Sequence, residues 1–408
     1  DNKLILERKK KFDRIKEKFN PYPNSFRKDS LSKDLINKFD NLTKEELSKK
    51  EINVSIAGRL LTIREMGNST FCNLHDEQGK IQIYLQKSSI GEETYKLLDE
   101  IDLGDIVGIE GVLFKTKTNE LTVKVSEFII LAKSLRPLPE KFHGLADIEI
   151  KYRQRYLDLM TNYETKENFI KRTKIISFIR DYFIKNKFLE VETPMMHTIP
   201  GGATAKPFIT HHNSLDMDLF LRIAPELFLK RCVIGGFEKV FEINRSFRNE
   251  GLSVKHNPEF TMLEFYCAYQ DYTYLINFIE KLFLSLFKDL KIEHQYTYQD
   301  LKINFKTPFK QIKFYDALLK YNNKLDSEKL NDLNFLNDYA NQIETSLSDS
   351  SSLFHVHLDI FEKTVENNLI DPTFITHYPT EISPLARSFD NDQGLAERFE
   401  LFIGGREI

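Results

Sequence analysis

The sequence predicts an α+β multidomain protein in which a small closed β-barrel precedes a larger α+β domain. Three observations lead there. A chain of 408 residues, 41% of them hydrophobic, can bury the cores of two or three domains. From about residue 53 apolar residues recur with a period of two, in short runs punctuated by Gly and Asn. Outside that stretch, at 3–19 and again at 166–187, the apolar spacing is helical.

Taken in order, residues 1–52 form a helical basic arm. Leu4, Phe12, Ile15 and Phe19 fall near helical spacing with Lys and Arg between them, and Pro21 and Pro23 end that helix. A second short helix is expected at 31–49. Residues 53–136 form the barrel: Val54, Ile56, 81–85, 107–112 and 121–125 read as short strands, with turns at Gly58, Gly67, Gly79, Gly104 and Asn119. Five strands in about 80 residues suit an OB-fold. A linker follows over 137–160, opened by the Pro-, Lys- and Arg-rich run at 135–144, and the larger domain occupies 161–408. Its stretch 286–350 is rich in Lys, Asn and Asp and carries few motifs.

Charge and cysteine usage narrow the function. Lys and Arg number 58 against 61 Asp and Glu, a formal charge of −3, so the chain as a whole is not a polyanion binder. Residues 1–28 hold ten Lys/Arg against four Asp/Glu. Such an arm could lie along a nucleic-acid backbone, although charge alone favours a solvated helix face. Cys72, Cys232 and Cys267 are far apart, so neither a disulfide framework nor a zinc site is indicated. His211-His212 and the pair His355 and His357 lack companions at ligand spacing. No apolar run reaches membrane-spanning length and no secretory core is present. A cytoplasmic protein is expected.

The segment 238–267 is the informative one. On its first strand Phe241, Ile243 and Phe247 face one way and Glu242, Asn244, Ser246 and Arg248 the other. On its second, Leu263, Phe265 and Cys267 oppose Phe260, Met262, Glu264 and Tyr266. The intervening loop adds Glu250, Lys255 and His256. A half-solvated sheet would explain the alternation, but not why Phe260 and Tyr266 lie on the polar side. A fixed cation, an aromatic plane and carboxylates suit a nucleotide and an amine. At the chain's end, Gly404-Gly405 signals a two-residue hairpin turn. If Ile403 faces Arg406, Glu400 and Glu407 become diagonal neighbours on one face, roughly 7–8 Å apart, close enough to pinch a hard cation. Neither G-x-G-x-x-G nor a P-loop occurs, so no Rossmann or P-loop nucleotide site is supported.

These runs resemble a known family. F-R-N-E at 247–250 with H-N-P-E-F-T-M-L-E-F-Y at 256–266 closely resembles motif 2 of the class II lysyl-tRNA synthetases, and F-L-E-V-E-T-P-M-M at 188–196 resembles their motif 1. R-P-L-P-E-K-F-H-G-L at 136–145, Y-R-Q-R-Y-L-D-L at 152–159, R-I-A-P-E-L at 222–227 and P-T-F-I-T-H-Y-P at 372–379 are similar to the bacterial form. The resemblance implies an antiparallel-sheet catalytic domain behind an OB-fold anticodon-binding domain. It also implies ATP-dependent activation of L-lysine, transfer to tRNA(Lys), and a homodimer formed through motif 1.

Carried onto matching positions, Arg248 is implied as the catalytic residue, holding the α-phosphate and the lysine carboxylate. Glu250 and Phe260 would bind adenine and His256 the outer phosphates. Gly202, Glu226 and Glu264 would hold the α-amine, and Tyr266 would approach the ε-amine. Glu400 and Glu407 would bind Mg2+. In the barrel, Phe71 would stack on an anticodon base, Gln82 and Glu120 would hydrogen-bond base edges, and Arg59 would lie nearby.

The family pattern continues past G-G-R-E-I with an Asn-Gly-Phe-Ser-Glu-like run and then motif 3. Those segments would supply the carboxylate for the ε-ammonium and an arginine for the γ-phosphate, so the catalytic domain is expected to be incomplete within 161–408. Two rivals share the architecture. An aspartyl or asparaginyl enzyme would need cations where Glu226, Glu264 and Tyr266 stand, and a catalytically impaired tRNA-binding form would use the arm and barrel alone. Losing a transition-state arginine costs orders of magnitude in rate. The 408-residue chain is therefore expected to show lysine-dependent ATP–pyrophosphate exchange near background, and robust exchange would overturn that expectation.

Overall fold

The computed structural model describes residues 2–139, 147–251, 256–345 and 352–408. It divides into two compact units, Asp1–Ile170 and Lys171–Ile408, with the division falling inside a helix.

The first unit opens with α1 (Asn2–Lys18). Part of its positive charge is structural: Arg8 donates to the Ser134 carbonyl at 2.8 Å, Lys11 pairs with Asp102 at 3.0 Å and Arg14 grips Glu100 at 2.8 Å. The single helix expected at 31–49 is two helices, α2 (Ser32–Phe39) and α3 (Lys44–Lys50). The break has a local cause. Thr43 and Glu46 form a reciprocal capping box that starts a new helix, with N–H to side-chain bonds of 3.2 and 2.8 Å.

Five strands close the barrel: β1 (Asn53–Met66), β2 (Ser69–His75), β3 (Lys80–Gln86), β4 (Ile106–Lys115) and β5 (Leu121–Ala132), in the order β1-β2-β3-β5-β4. Several are longer than the short strands expected. Gly58, expected as a turn, lies inside β1, where the strand passes from pairing with β4 to pairing with β2. A Cβ there would come within 2.4 Å of the His75 carbonyl oxygen, so closure of the barrel at this corner requires glycine. The strands alternate cleanly: Cys72, Leu74, Ile81, Ile83 and Leu85 point into the core, while Phe71, Asn73, Gln82 and Tyr84 face outward.

Two short helices, α4 (Lys87–Ile90) and α5 (Glu92–Lys96), lie between β3 and β4. The segment 137–160, read as a linker, carries α6 (Ile148–Arg153) and α7 (Arg155–Thr161); its residues 140–146 lie outside the described residues, as does Lys255. Then comes α8 (Tyr163–Lys185).

The second unit holds small sheets. β6 (Leu189–Glu190) joins β10 (Lys239–Phe247) and β11 (Glu259–Cys267) in the order β11-β10-β6. β7 (Met196–His197), β8 (Ile209–His212) and β9 (Met217–Leu221) form a second sheet, followed by α9 (Glu226–Ile234). After α10 (Tyr272–Leu290) come the pair β12 (Gln295–Tyr298) and β13 (Leu301–Asn304). β14 (Lys310–Lys313), β15 (Thr373–Pro379), β16 (Ser388–Phe389) and β17 (Asp392–Phe402) make a four-stranded sheet ordered β14-β15-β17-β16. Between β14 and β15 lie α11 (Phe314–Tyr321), α12 (Leu333–Gln342) and α13 (Leu353–Thr364). Phe314 and Leu336 of the motif-poor stretch thus pack with Ile360 and Phe361 of α13 and with Ile375 and Phe402 of the sheet in one core; residues 346–351 lie outside the described residues.

Antiparallel β10 and β11 pair Phe241 with Phe265 and Ile243 with Leu263, so their apolar faces coincide as the alternation requires. That face rests on an aromatic cluster centred on Phe183 of α8, whose ring lies 4.9–5.3 Å from those of Phe188, Phe241, Phe265 and Phe278. Phe183 is fully buried. Phe183→Ala would leave a cavity under the hairpin, and a loss of about 3–5 kcal/mol in urea unfolding is expected; a loss below about 1 kcal/mol would show that the hairpin does not lean on this ring.

Candidate functional site

The polar face of the β10–β11 hairpin is where the second unit concentrates unusual charge. Arg248 follows the last residue of β10, and its N–H bonds the Pro258 carbonyl at 2.9 Å, extending the ladder by one step. Its guanidinium lies over the Phe260 ring, 5.2 Å from the centroid. Among the described residues, Arg248 Nε is buried without a hydrogen-bond partner. A guanidinium nitrogen left so is costly in the free protein, and an anion would relieve that cost. Glu250 is tied to the neighbouring loop: its carboxylate accepts from the Lys206 N–H at 3.4 Å, while Asn249 N–H bonds the Lys206 carbonyl at 2.7 Å. His256 is exposed at the other edge of the loop.

On the same strands Glu242 and Glu264 stand directly opposite each other. They are not equivalent. Glu242 is fully buried against Arg222, Nη1 to Oε1 2.8 Å, and also accepts from Thr193 Oγ1 at 2.6 Å and Asn244 Nδ2 at 3.2 Å. Among the described residues Glu264 has no cation at hydrogen-bond range; Tyr266 Oη donates to it at 2.9 Å. Burial, reinforced by Glu226 and Glu242, lifts the Glu264 carboxyl to about 7, against the stabilising effects of Tyr266 and Arg222. The Tyr266 phenol is raised by burial and by Glu264 and Glu226.

Glu226 begins α9, directly after Pro225, where an acid favours the helix N-terminus. Gly202 packs on it: φ is +90°, and a Cβ would approach Glu226 Cβ to 3.0 Å, so glycine alone fits the conformation and the space. Lys230, one turn along α9, pairs with Glu226 at 2.6 Å and lies 5.9 Å from the Tyr266 ring centroid. Sequence reasoning passed over Lys230, although a Glu and a Lys four residues apart on a helix are a readable signal. It also left Arg222, Tyr378 and Arg398 without roles.

The terminal hairpin has the register inferred from Gly404-Gly405. Phe402 bridges Glu407, and Ile403 N–H bonds the Arg406 carbonyl at 2.8 Å, with φ of +62° and +72° at the two glycines. Glu400 accepts from the buried Tyr378 hydroxyl at 2.5 Å and is paired with Arg398. Glu407 is raised to about 7 by burial first and then by Glu400, opposed by Arg398 and Arg248. Arg248 and the two carboxylates therefore share one electrostatic environment. Among the described residues no group of three or more His, Cys, Asp and Glu is arranged to hold a metal by itself.

In the first unit, Phe71 is on the outer face of β2, not in the barrel core. Its ring lies 4.7 Å from that of Tyr84, tilted by 38°, and Tyr84 neighbours Phe114 at 5.9 Å. Gln82 shares this face, donates to Glu120 at 3.0 Å and accepts from Thr122 at 2.9 Å. Arg59 is not beside Phe71. It sits near His75 at the other end of the strand pair, bonded to the Gly104 carbonyl at 2.5 Å, and the arginine paired opposite Phe71 is Arg64.

Fold and site together define a class. The family model of class II tRNA synthetases for D, K and N matches residues 147–408, and that of the OB-fold nucleic acid binding domain matches 54–131. All of this chain is similar to lysine–tRNA ligases, covering 81% of the protein from Idiomarina loihiensis at 51% identity and 81% of that from Nitrosomonas europaea at 48%. It covers 82% of one from Haemophilus influenzae at 50% identity. The chain belongs to the class II tRNA synthetases and, within them, to the lysine–tRNA ligase family.

The raised Glu264 carboxyl has a signed consequence. The folded state holds this proton more tightly than the unfolded chain does, so its contribution is favourable below the ordinary carboxylate range and is lost as pH climbs toward 7. Relative to Glu264→Gln, the parent protein is expected to lose on the order of 2 kcal/mol between pH 5 and pH 8 in urea unfolding. Stability curves that run parallel across that range would mean the carboxylate is relieved by something else.

Proposed function

We propose that the residues gathered here serve the activation of L-lysine with ATP to lysyl-adenylate and the transfer of the lysyl group to tRNA(Lys). What carries the reading is the arrangement around Arg248. A guanidinium whose buried Nε has no partner among the described residues lies over an aromatic ring and acts on the Glu400–Glu407 pair, while the same hairpin carries Glu264 beside Glu226.

On this reading Arg248 holds the α-phosphate and the lysine carboxylate together and stabilises charge as the carboxylate attacks phosphorus. Adenine stacks on the Phe260 face not covered by Arg248, with its amino group read by Glu250, and His256 meets the outer phosphates. Glu226, Glu264 and the Gly202 backbone take the α-amine, for which Lys230 is an internal competitor. Tyr266 lies along the side chain toward the ε-amine. No residue acts as nucleophile; rate comes from orientation and a preset field.

Mg2+ fits the other carboxylate pair. Glu400 and Glu407 are two hard oxygen donors whose mutual repulsion, under burial, already raises Glu407, and a cation would relieve it. They would hold the ion, and when bound it would neutralise the phosphates.

The outer face bearing Phe71, Gln82 and Glu120 would bind the anticodon, with Arg64 better placed than Arg59 to reach a phosphate beside Phe71. A homodimer through 188–196 would cover Leu189, Met196 and Ile199, which are 46%, 56% and 77% exposed in the single chain. Among the described residues no helix is long and apolar enough to cross a membrane.

An aspartate or asparagine substrate is disfavoured by the carboxylates at 226 and 264. Calorimetric titration with aminoacyl-sulfamoyl-adenosines, stable mimics of the adenylate, tests this directly. The lysyl compound is expected to bind at least about 100-fold tighter than the aspartyl one, about 3 kcal/mol. Equal or inverted affinities would overturn the assignment.

A further inference from the structure

The ion pair between Arg222 and Glu242 touches no ligand in the reading above, yet its side chains are 1% exposed and it sits at the centre of the hairpin. Burying both charges is expensive, and apolar residues of similar size often serve as well, so a mere brace would not need it. Its bonds point to a more specific duty. Arg222 Nε donates to the Arg245 carbonyl at 2.8 Å, and Nη1 donates to Glu242 at 2.8 Å and to Thr193 Oγ1 at 3.0 Å. The Arg222 carbonyl accepts the Phe247 N–H at 2.9 Å, and the Arg222 N–H bonds the Met195 carbonyl at 2.8 Å.

One residue thus grips β10 at positions 242, 245 and 247, ending one step before Arg248. In the other direction only Ile223, Ala224 and Pro225 separate it from Glu226, and Ile223 and Ala224 are buried. The amine and the carboxyl group of an amino acid hang on a single carbon. Their partners, Glu226 and Arg248, must therefore keep a fixed separation, and an error of about 1 Å in such a pair can cost about 100-fold.

We propose that Arg222 is a positioning residue that sets the separation between the amine-holding Glu226 and the carboxyl-holding Arg248, with Glu242 and Thr193 fixing its guanidinium. The proposal rests on the reading of those two residues given above. Lysine cannot replace the planar fork that reaches Arg245, Glu242 and Thr193 at once.

The test compares two ligands on Arg222→Lys and on Thr193→Val, a milder change that removes one hydroxyl from the network. One ligand is lysyl-sulfamoyl-adenosine; the other is 6-aminohexanoyl-sulfamoyl-adenosine, which lacks only the α-amine. Arg222→Lys is expected to weaken the lysyl compound about 30-fold and the 6-aminohexanoyl compound no more than about threefold, because only the first ligand senses the separation. Thr193→Val is expected to show the same selectivity with a loss of about fivefold, and it carries the test if Arg222→Lys does not fold. Equal losses on both ligands would reveal a general brace, and no loss on either would show an idle pair; both outcomes overturn the proposal. The parent protein's preference for the lysyl over the aspartyl compound, measured in the same titrations, reports separately on the reading beneath it.

Discussion

The polar face of the β10–β11 hairpin is organised around one buried ion pair. Arg222 and Glu242 lie where three segments meet: the 188–196 run, the end of β9 and the middle of β10. Two desolvated charges persist there because both are hydrogen-bonded beyond their own pairing, by Thr193, Asn244 and the Arg245 carbonyl. The pairing also decides which carboxylate remains available. Glu242 and Glu264 face each other across the hairpin. With Glu242 neutralised by Arg222, Glu264 is the one left with excess negative charge.

The free protein is consequently assembled around deficits of the right sign. Glu264 and Glu407 are each pushed to about 7 by burial and by neighbouring carboxylates, while Arg248 keeps a buried nitrogen without a partner among the described residues. Each deficit costs stability and each would be relieved by a group on the proposed substrates: an ammonium, a divalent ion, a phosphate. Perturbed groups of this kind, on one hairpin and on the terminal turn whose Glu407 feels Arg248, are what a site built for binding shows and a solvated sheet does not. The aromatic cluster centred on Phe183 backs the apolar face of the hairpin that carries Glu264 and Arg248.

Much of the arrangement was legible from residue order. A period of two is enough to say which side chains of β10 and β11 share a face, because alternation is a property of the extended backbone itself. Gly404-Gly405 was enough to set the register that brings Glu400 and Glu407 to the same side, since two adjacent residues with positive φ permit only a tight turn. Thr43 and Glu46 mark a helix start inside 31–49, and the Glu226–Lys230 spacing marks an ion pair on one helix face. Gly58 misled for a definable reason. The same residue type serves a turn or a close backbone approach, and only the distance to His75 tells them apart.

By itself, then, the sequence determined the period, the turns and the family: the barrel, the hairpin with its polar face, and the carboxylate pair at 400 and 407. These are local, set by residues within a few positions of one another. What only the tertiary structure decided is how the charges are partnered. Arg222 neutralises Glu242 from twenty residues away, Tyr378 and Arg398 restrain Glu400, and Arg64 rather than Arg59 stands beside Phe71. Partnering depends on which segments fold back to within about 3 Å of each other, and a buried carboxylate becomes structural or ligand-facing according to that distance alone.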